Sequence, residues 1–303
     1  MRLTRHAGVT LIELAITIAL VGILAALIVN FVQPVRSYID SSRRAALADT
    51  ADTALRRIGR DVRLALPNSV RVDGTFKYLE FLLVRTGGRY RNDVDAAATL
   101  TCNDGASAVP ANDVLSFAAA DTCFKTLGAI PNISQVTVNV ALNRGDFLVV
   151  FNLPSTPTTA NADAYQFPGT GGNKSKISAA VAGTLANIGQ DRIAFASNLF
   201  TYESPGNRFF IIEGPVSYGC AGGTLTRYWG YTITPTQTPV PPAGGSSAIM
   251  ATGVTDCTFT YDLSMAAQGA GLVTMALQLN TQDSRGTTET VSLYHAVHVN
   301  NVP

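Results

Sequence analysis

From Leu14 to Val35 the sequence has no charged side chain, and across residues 7–35 it has one, Glu13. A helix rises ~1.5 Å per residue, so ~20 apolar residues cross the hydrocarbon core of a bilayer. This run is long enough to be such a span. Arg2 and Arg5 precede it and favour a cytoplasmic N-terminus with the remainder exported, whereas Arg36, Arg43 and Arg44 follow it and weaken that bias. A secretory signal peptide has an apolar stretch of about 7–15 residues and then a cut site of small residues. Here the stretch is longer, carries a glutamate at its start and continues into NFVQPVRSYIDSSRRAAL. A plain membrane anchor leaves Glu13 unexplained, because a carboxylate at the bilayer centre costs ~2.5–3.5 kcal/mol on insertion scales. The cost is offset if Glu13 acquires a partner. A cut after Gly8 would make Val9 a new N-terminus, and its positive amine in one subunit would meet Glu13 of a neighbour in a packed helical array. Burial would then select the stagger that neutralises both charges.

The segment GVTLIEL resembles the prepilin cleavage site of type IV pilins and type II secretion pseudopilins. That pattern is a short basic leader ending in Gly, an aromatic or apolar residue, T-L-I-E and an uninterrupted apolar helix. The resemblance implies that Gly8 precedes the cut, that Val9 is exposed and N-methylated by prepilin peptidase, and that Glu13 is the subunit-pairing glutamate of assembly. Val9 departs from the family's usual Phe.

Beyond Pro34 the pattern becomes amphipathic. Leu47, Ala51, Leu55, Ile58, Val62 and Leu66 recur at spacings of 4, 4, 3, 4 and 4, one helical stripe. Asp49, Asp52, Arg56, Arg60 and Arg63 fall on another face, with Asp52 and Arg56 as an i,i+4 pair worth ~0.2–0.5 kcal/mol. Pro67 stops the helix. A helix over Val9–Leu66 would be about 87 Å long, and Pro34 is expected to kink or loosen it near Asn30.

From Val70 onward short runs rich in Val, Ile, Phe, Tyr and Thr predict strands: KYLEFLLVR, DVLSFAA, SQVTVNVAL, DFLVVFN, RFFIIEG, TLTRYWGYTI, CTFTYDL, LVTMALQL and ETVSLYHAVHVN. NTQDSRGTT between the last two has hairpin character. Pro154–Lys176 and Thr234–Ser247 read as polar loops. The expected fold is α+β and pilin-like, a long N-terminal helix packed on an antiparallel sheet. Its expected parts are a leader (1–8), a membrane-spanning half-helix (9–35), an amphipathic half-helix (36–66) and a β-rich globular domain (67–303).

ALPNSVRV, YLEFLLVRTGGRYR, IEGPVSYGC and YHAVHVNNVP are similar to the MshO group of minor pilins, which belong to MSHA-type pilus biogenesis. The similarity is spread over most of the chain. It implies a low-abundance structural subunit acting in pilus assembly, near the fibre tip. Its implied partners are prepilin peptidase, other major and minor pilins, the inner-membrane assembly platform and the membrane itself. The globular domain would be periplasmic and later at the cell surface on the pilus. A J-type minor pseudopilin of type II secretion and a membrane-anchored surface binding module or adhesin are the alternatives.

The remaining composition narrows the chemistry. The 303-residue chain has a net charge of +1, which gives no reason to expect nucleic acid as a partner. Its cysteines are Cys102, Cys123, Cys220 and Cys257. None lies in a C-x-x-C pair or beside a histidine, which argues against zinc and thioredoxin-like chemistry. Wide spacing and even number fit two disulfides in an oxidising compartment. Three connectivities are open, and the sequential one is favoured because each pair brackets a polar loop. His295 and His298, three apart in a strand, point to opposite faces and cannot converge on a metal. GTGGNKSK is not a phosphate-binding loop, since Lys174 follows Asn173. CNDGAS and QDSRG fit turns better than calcium loops. The reading is a protein that is not an enzyme and has no cofactor or metal.

Overall fold

The structure is a computed structural model that describes residues 8–93, 102, 114–138, 146–154, 160–166, 171–183, 189–238, 244–262, 269–283 and 286–303, with residues 29–34, 36 and 160 described as backbone only. Its N-terminal apolar helix and large antiparallel sheet make it an α+β protein. The chain divides into two units. One comprises residues 1–49 with 280–291, the other residues 50–279 with 292–303.

Helix α1 spans Leu11–Arg63 and continues through Gly22, Pro34 and Gly59. In the second unit Ala51, Leu55, Ile58 and Val62 are buried, as the stripe predicts, and so is Ala54 beside them, while Arg56, Arg60 and Arg63 are exposed. Asp52 and Arg56 form their i,i+4 pair at 2.6 Å. The helix ends three residues before the expected Leu66, for a physical reason. Leu66 N–H donates to the Leu82 carbonyl at 2.8 Å, and Val84 N–H donates to the Leu64 carbonyl at 2.9 Å. Groups that would extend the helix are taken by the sheet instead.

The strands are β1 (Arg71–Val72), β2 (Tyr78–Arg89), β3 (Asp121–Lys125), β4 (Phe147–Val149), β5 (Lys174–Val181), β6 (Arg192–Asn198), β7 (Arg208–Ala221), β8 (Thr224–Trp229), β9 (Ser246–Thr252), β10 (Val254–Asp262), β11 (Ala270–Gln282) and β12 (Thr288–Asn300). Nine of them form one sheet in the order β1-β2-β7-β4-β5-β6-β3, with β8 paired to β7 and β9 to β8. The other three form a sheet in the order β10-β11-β12. Helix α1 and β12 approach closely at Gly59, where a Cβ would lie 3.0 Å from His295 Nε2 and 3.1 Å from Val297 Cγ2. A glycine inside a helix costs ~1 kcal/mol against alanine, and here it admits the strand.

An aromatic cluster of Tyr90, Phe124, Phe195, Phe200 and Phe209 fills one core region, and Leu66, Leu82, Val149, Ile212 and Ile233 fill another. Buried and half-buried amides tie the segment after the helix in place. Asn68 N–H donates to Asn301 Oδ1 at 3.1 Å, Asn68 Nδ2 to the Asn152 carbonyl at 2.9 Å, and Asn152 Nδ2 to the Pro67 carbonyl at 2.7 Å. This meets the demand of buried polar groups for partners.

Several strand expectations need correction. DVLSFAA is not a strand over its described residues. They form bends, and the neighbouring β3 takes the sheet position because Asp121 accepts the amides of Ser116 and Thr122 and folds the approach back. In SQVTVNVAL, Ile133–Gln135 is a 3-10 turn and Val136–Val138 is irregular, while residues 139–142 lie outside the described residues. The polar stretch ending at Lys176 already contains the start of β5. Likewise the Pro-rich stretch ending at Ser247 contains the start of β9.

Candidate functional site

The N-terminal unit offers the first candidate. Gly8–Thr10 is not helical, and α1 starts at Leu11. The Thr10 carbonyl accepts the Leu14 N–H at 3.1 Å and its hydroxyl accepts the Glu13 N–H at 3.3 Å. Thr10 is therefore an N-cap, and T-x-x-E here is the sequence signature of a capping box. That signal was available in the sequence; the bond observed is the one from the Glu13 backbone N–H to the Thr10 hydroxyl, which starts the helix without using the Glu13 carboxylate. Among the described residues no side chain pairs with the Glu13 carboxylate. Glu13 also sits where a helix dipole favours negative charge.

Leu11–Ile28 is long and apolar enough to cross a membrane, and none of it is buried in the protein. Its large side chains are exposed throughout, Leu11 at 86% and Val21 at 64%. Thr17, a polar residue in this run, donates its hydroxyl to the Leu14 carbonyl at 2.9 Å, so it brings no unmet donor into an apolar medium. Gly8 and Val9 precede the helix and are exposed. Arg2 and Arg5 lie outside the described residues.

Cys102 is joined to Cys123 and Cys220 to Cys257, the sequential pairing. The second bridge links β7 to β10 and so joins the two sheets. The Lys77–Asp256 ion pair and the Lys77 ammonium donating to the Cys257 carbonyl at 2.7 Å lie beside it. Closing loops with separations of 21 and 37 residues stabilises by ~3 kcal/mol or somewhat more each in the loop-entropy model. His295 is half-buried against α1 and His298 is exposed, on opposite faces of β12. The turn role of QDSRG is visible where Asp283 Oδ1 accepts the Thr287 N–H at 2.7 Å. CNDGAS lies outside the described residues apart from Cys102.

Three polar clusters in the second unit were not legible in the sequence. On the helix, Asp61 Oδ2 accepts the Tyr218 hydroxyl at 2.6 Å and Arg227 Nε at 2.9 Å, which fastens α1 to β7 and β8. Burial first, and then the Asp61 carboxylate, holds the Tyr218 phenol well above its ordinary range, so it remains a donor. In the sheet, Arg71 Nε donates to Glu80 at 3.0 Å and its guanidinium lies 3.6 Å from the centre of the Tyr165 ring. Burial raises the Glu80 carboxyl above its usual range against the opposing pull of Arg71. Finally, Arg85 contacts Asp146 at 2.7 Å and Glu213 at 3.4 Å.

No protein-family model, curated protein or solved structure matches the chain.

Proposed function

We propose that this chain is a pilin-like minor subunit of a type IV, MSHA-type pilus. In this reading prepilin peptidase removes residues 1–8 and methylates the amine of Val9. The apolar half of α1 holds the subunit in the inner membrane, with its N-terminus cytoplasmic before processing and its globular part periplasmic. The assembly platform then transfers it, with other major and minor pilins, into the fibre near its tip.

One observation carries the proposal: a helix start that places one carboxylate, Glu13, with no partner among the described residues, at the head of an exposed apolar run that a membrane or an array of like helices would have to cover. A cap explains how the helix begins in water. It does not offset the cost of carrying that carboxylate into lipid, whereas a neighbour's Val9 amine does.

The test is mass spectrometry of the protein from a host with an active prepilin peptidase. The expected N-terminus is N-methylated Val9. An intact Met1 in that host sinks the proposal.

A further inference from the structure

The large sheet is forked. Strand β7 pairs with β4 through Phe210–Ile212 and with β8 through Val216–Ala221. Between these spans Glu213, Gly214 and Pro215 have neither partner, and Pro215 has no N–H to offer. On the opposite side of β7 the pairing with β2 slips twice. Leu83 faces Gly214, Val84 faces Ile212 and Thr86 faces Ile211, so Arg85 and Glu213 both drop out of the ladder. Gly214 has φ +128°, a conformation open to glycine and strained for other residues. Bulges of this kind re-aim side chains next to binding sites. Here they bring Arg85 and Glu213 together at a cleft of about 160 Å³ whose other walls include Phe147, Asp146 and Trp229.

The polar groups of the cleft are not equivalent. Asp146 is buried and already accepts Arg85 Nε at 2.7 Å and the Thr137 N–H at 2.9 Å, so it serves to orient the guanidinium. Among the described residues the Nη atoms of Arg85 make long contacts, 3.4 Å to Asp146 Oδ1 and 3.4 Å to Glu213 Oε1. They keep donor capacity. Glu213 is 42% exposed and keeps acceptor capacity. A donor and an acceptor therefore stand side by side at the opening. A ligand ammonium would meet the guanidinium, and a ligand carboxylate would meet two carboxylates, so a neutral ligand suits the charge pattern best. Vicinal hydroxyl groups, each donor and acceptor at once, match the Arg85–Glu213 pair. A small amide also matches it but has no apolar face for the aromatic walls. The Trp229 ring is held by Arg227, which lies 4.9 Å from its centroid and is not a wall of the cleft. Mixed walls of aromatic rings and a few placed polar groups are the usual make-up of a small-molecule site.

We propose that the fork between β4 and β8 is a binding site for a neutral pyranose unit, its hydroxyls on Arg85 and Glu213 and its C–H face on Trp229. The assignment is independent of the fibre role.

The full chain is studied in micelles of a detergent without a sugar headgroup, with methyl glycosides of glucose, galactose and N-acetylglucosamine as probes. Trp229 is the single tryptophan, so its fluorescence reports directly, and saturation-transfer NMR reads binding without it. At least one glycoside is expected to bind saturably. Glu213→Ala and Trp229→Phe, with unchanged circular dichroism, are each expected to weaken it about tenfold. Absence of saturable binding by all three glycosides overturns the proposal. So does wild-type affinity in both variants, or tighter binding of lysine methyl ester, acetate or acetamide than of any glycoside.

Discussion

Asp61→Ala tests how the helix is fastened to β7 and β8 of the large sheet. In the wild type its carboxylate accepts from the Tyr218 hydroxyl and from Arg227, whose side chain is 13% exposed. Removing it leaves a fully buried phenol without its acceptor, a loss of ~1–3 kcal/mol. It also leaves the guanidinium without its counter-charge, and breaking a buried pair costs ~3–5 kcal/mol. Arg227 keeps Tyr218 at 3.1 Å and the Trp229 ring, so the lower end applies and the two losses overlap. We expect about 3 kcal/mol in total, a large part of the ~5–15 kcal/mol that holds a typical domain folded. The assay is urea unfolding of the full chain in micelles followed by fluorescence of Trp229, two residues from Arg227. Asp61→Asn, which keeps an acceptor but no charge, should lose about half as much. In a double-mutant cycle Tyr218→Phe and Asp61→Ala should be non-additive. A change below about 1 kcal/mol for Asp61→Ala, or simple additivity, refutes the reasoning.

Two further outcomes follow from the second unit. Ile58→Asp places an unpaired carboxylate at a fully buried stripe position and should destabilise by several kcal/mol, on the order of ~3–5; unchanged urea stability would mean that the stripe does not carry the packing. Lys174 is pushed down to about 7 by burial, partly opposed by Asp163. Its unfolded value is higher, so between about pH 7 and 10 the unfolded chain binds a proton that the folded chain does not. Stability should rise with pH across that window, and the rise should vanish in Lys174→Met; an equal slope in both proteins contradicts the assignment.

The sequence made some features visible because they are periodic or local. The stripe from Ala51 to Val62 is a helical repeat with one buried face, and the cysteine pairs bracket contiguous segments. Strands with one buried face, such as LVTMALQL, alternate visibly. β9 does not, because SSAIMAT is an edge strand with its first four residues exposed, so neither face imposes a pattern. β5 hides in a polar stretch because its buried Ser175 is satisfied by the Ala196 carbonyl at 2.6 Å rather than being apolar. The clusters depend on topology. Asp61 meets Arg227 across 166 residues, and Arg85 meets Asp146 across 61, separations at which composition carries no signal. Glu13 stood out because a charge in an apolar run is a local anomaly. Its capping arrangement with Thr10 was equally local, a motif of four residues.

That arrangement sharpens the most direct test of the proposed fibre role. Glutamine serves at the third helical position of a capping box as glutamate does, so Glu13→Gln preserves the helix start and removes only the charge. Glu13→Ala removes the whole carboxyl side chain and keeps the backbone N–H that Thr10 accepts. Each variant should insert and be exported as well as wild type, since loss of a carboxylate lowers the cost of entering lipid. The measurement is incorporation of the subunit into fibres at matched membrane levels. If Glu13 neutralises the amine of a neighbouring Val9, both variants should fail or be strongly impaired, with Gln close to Ala. Wild-type incorporation of Glu13→Gln would show that the charge of Glu13 is not the assembly contact, and would contradict the account.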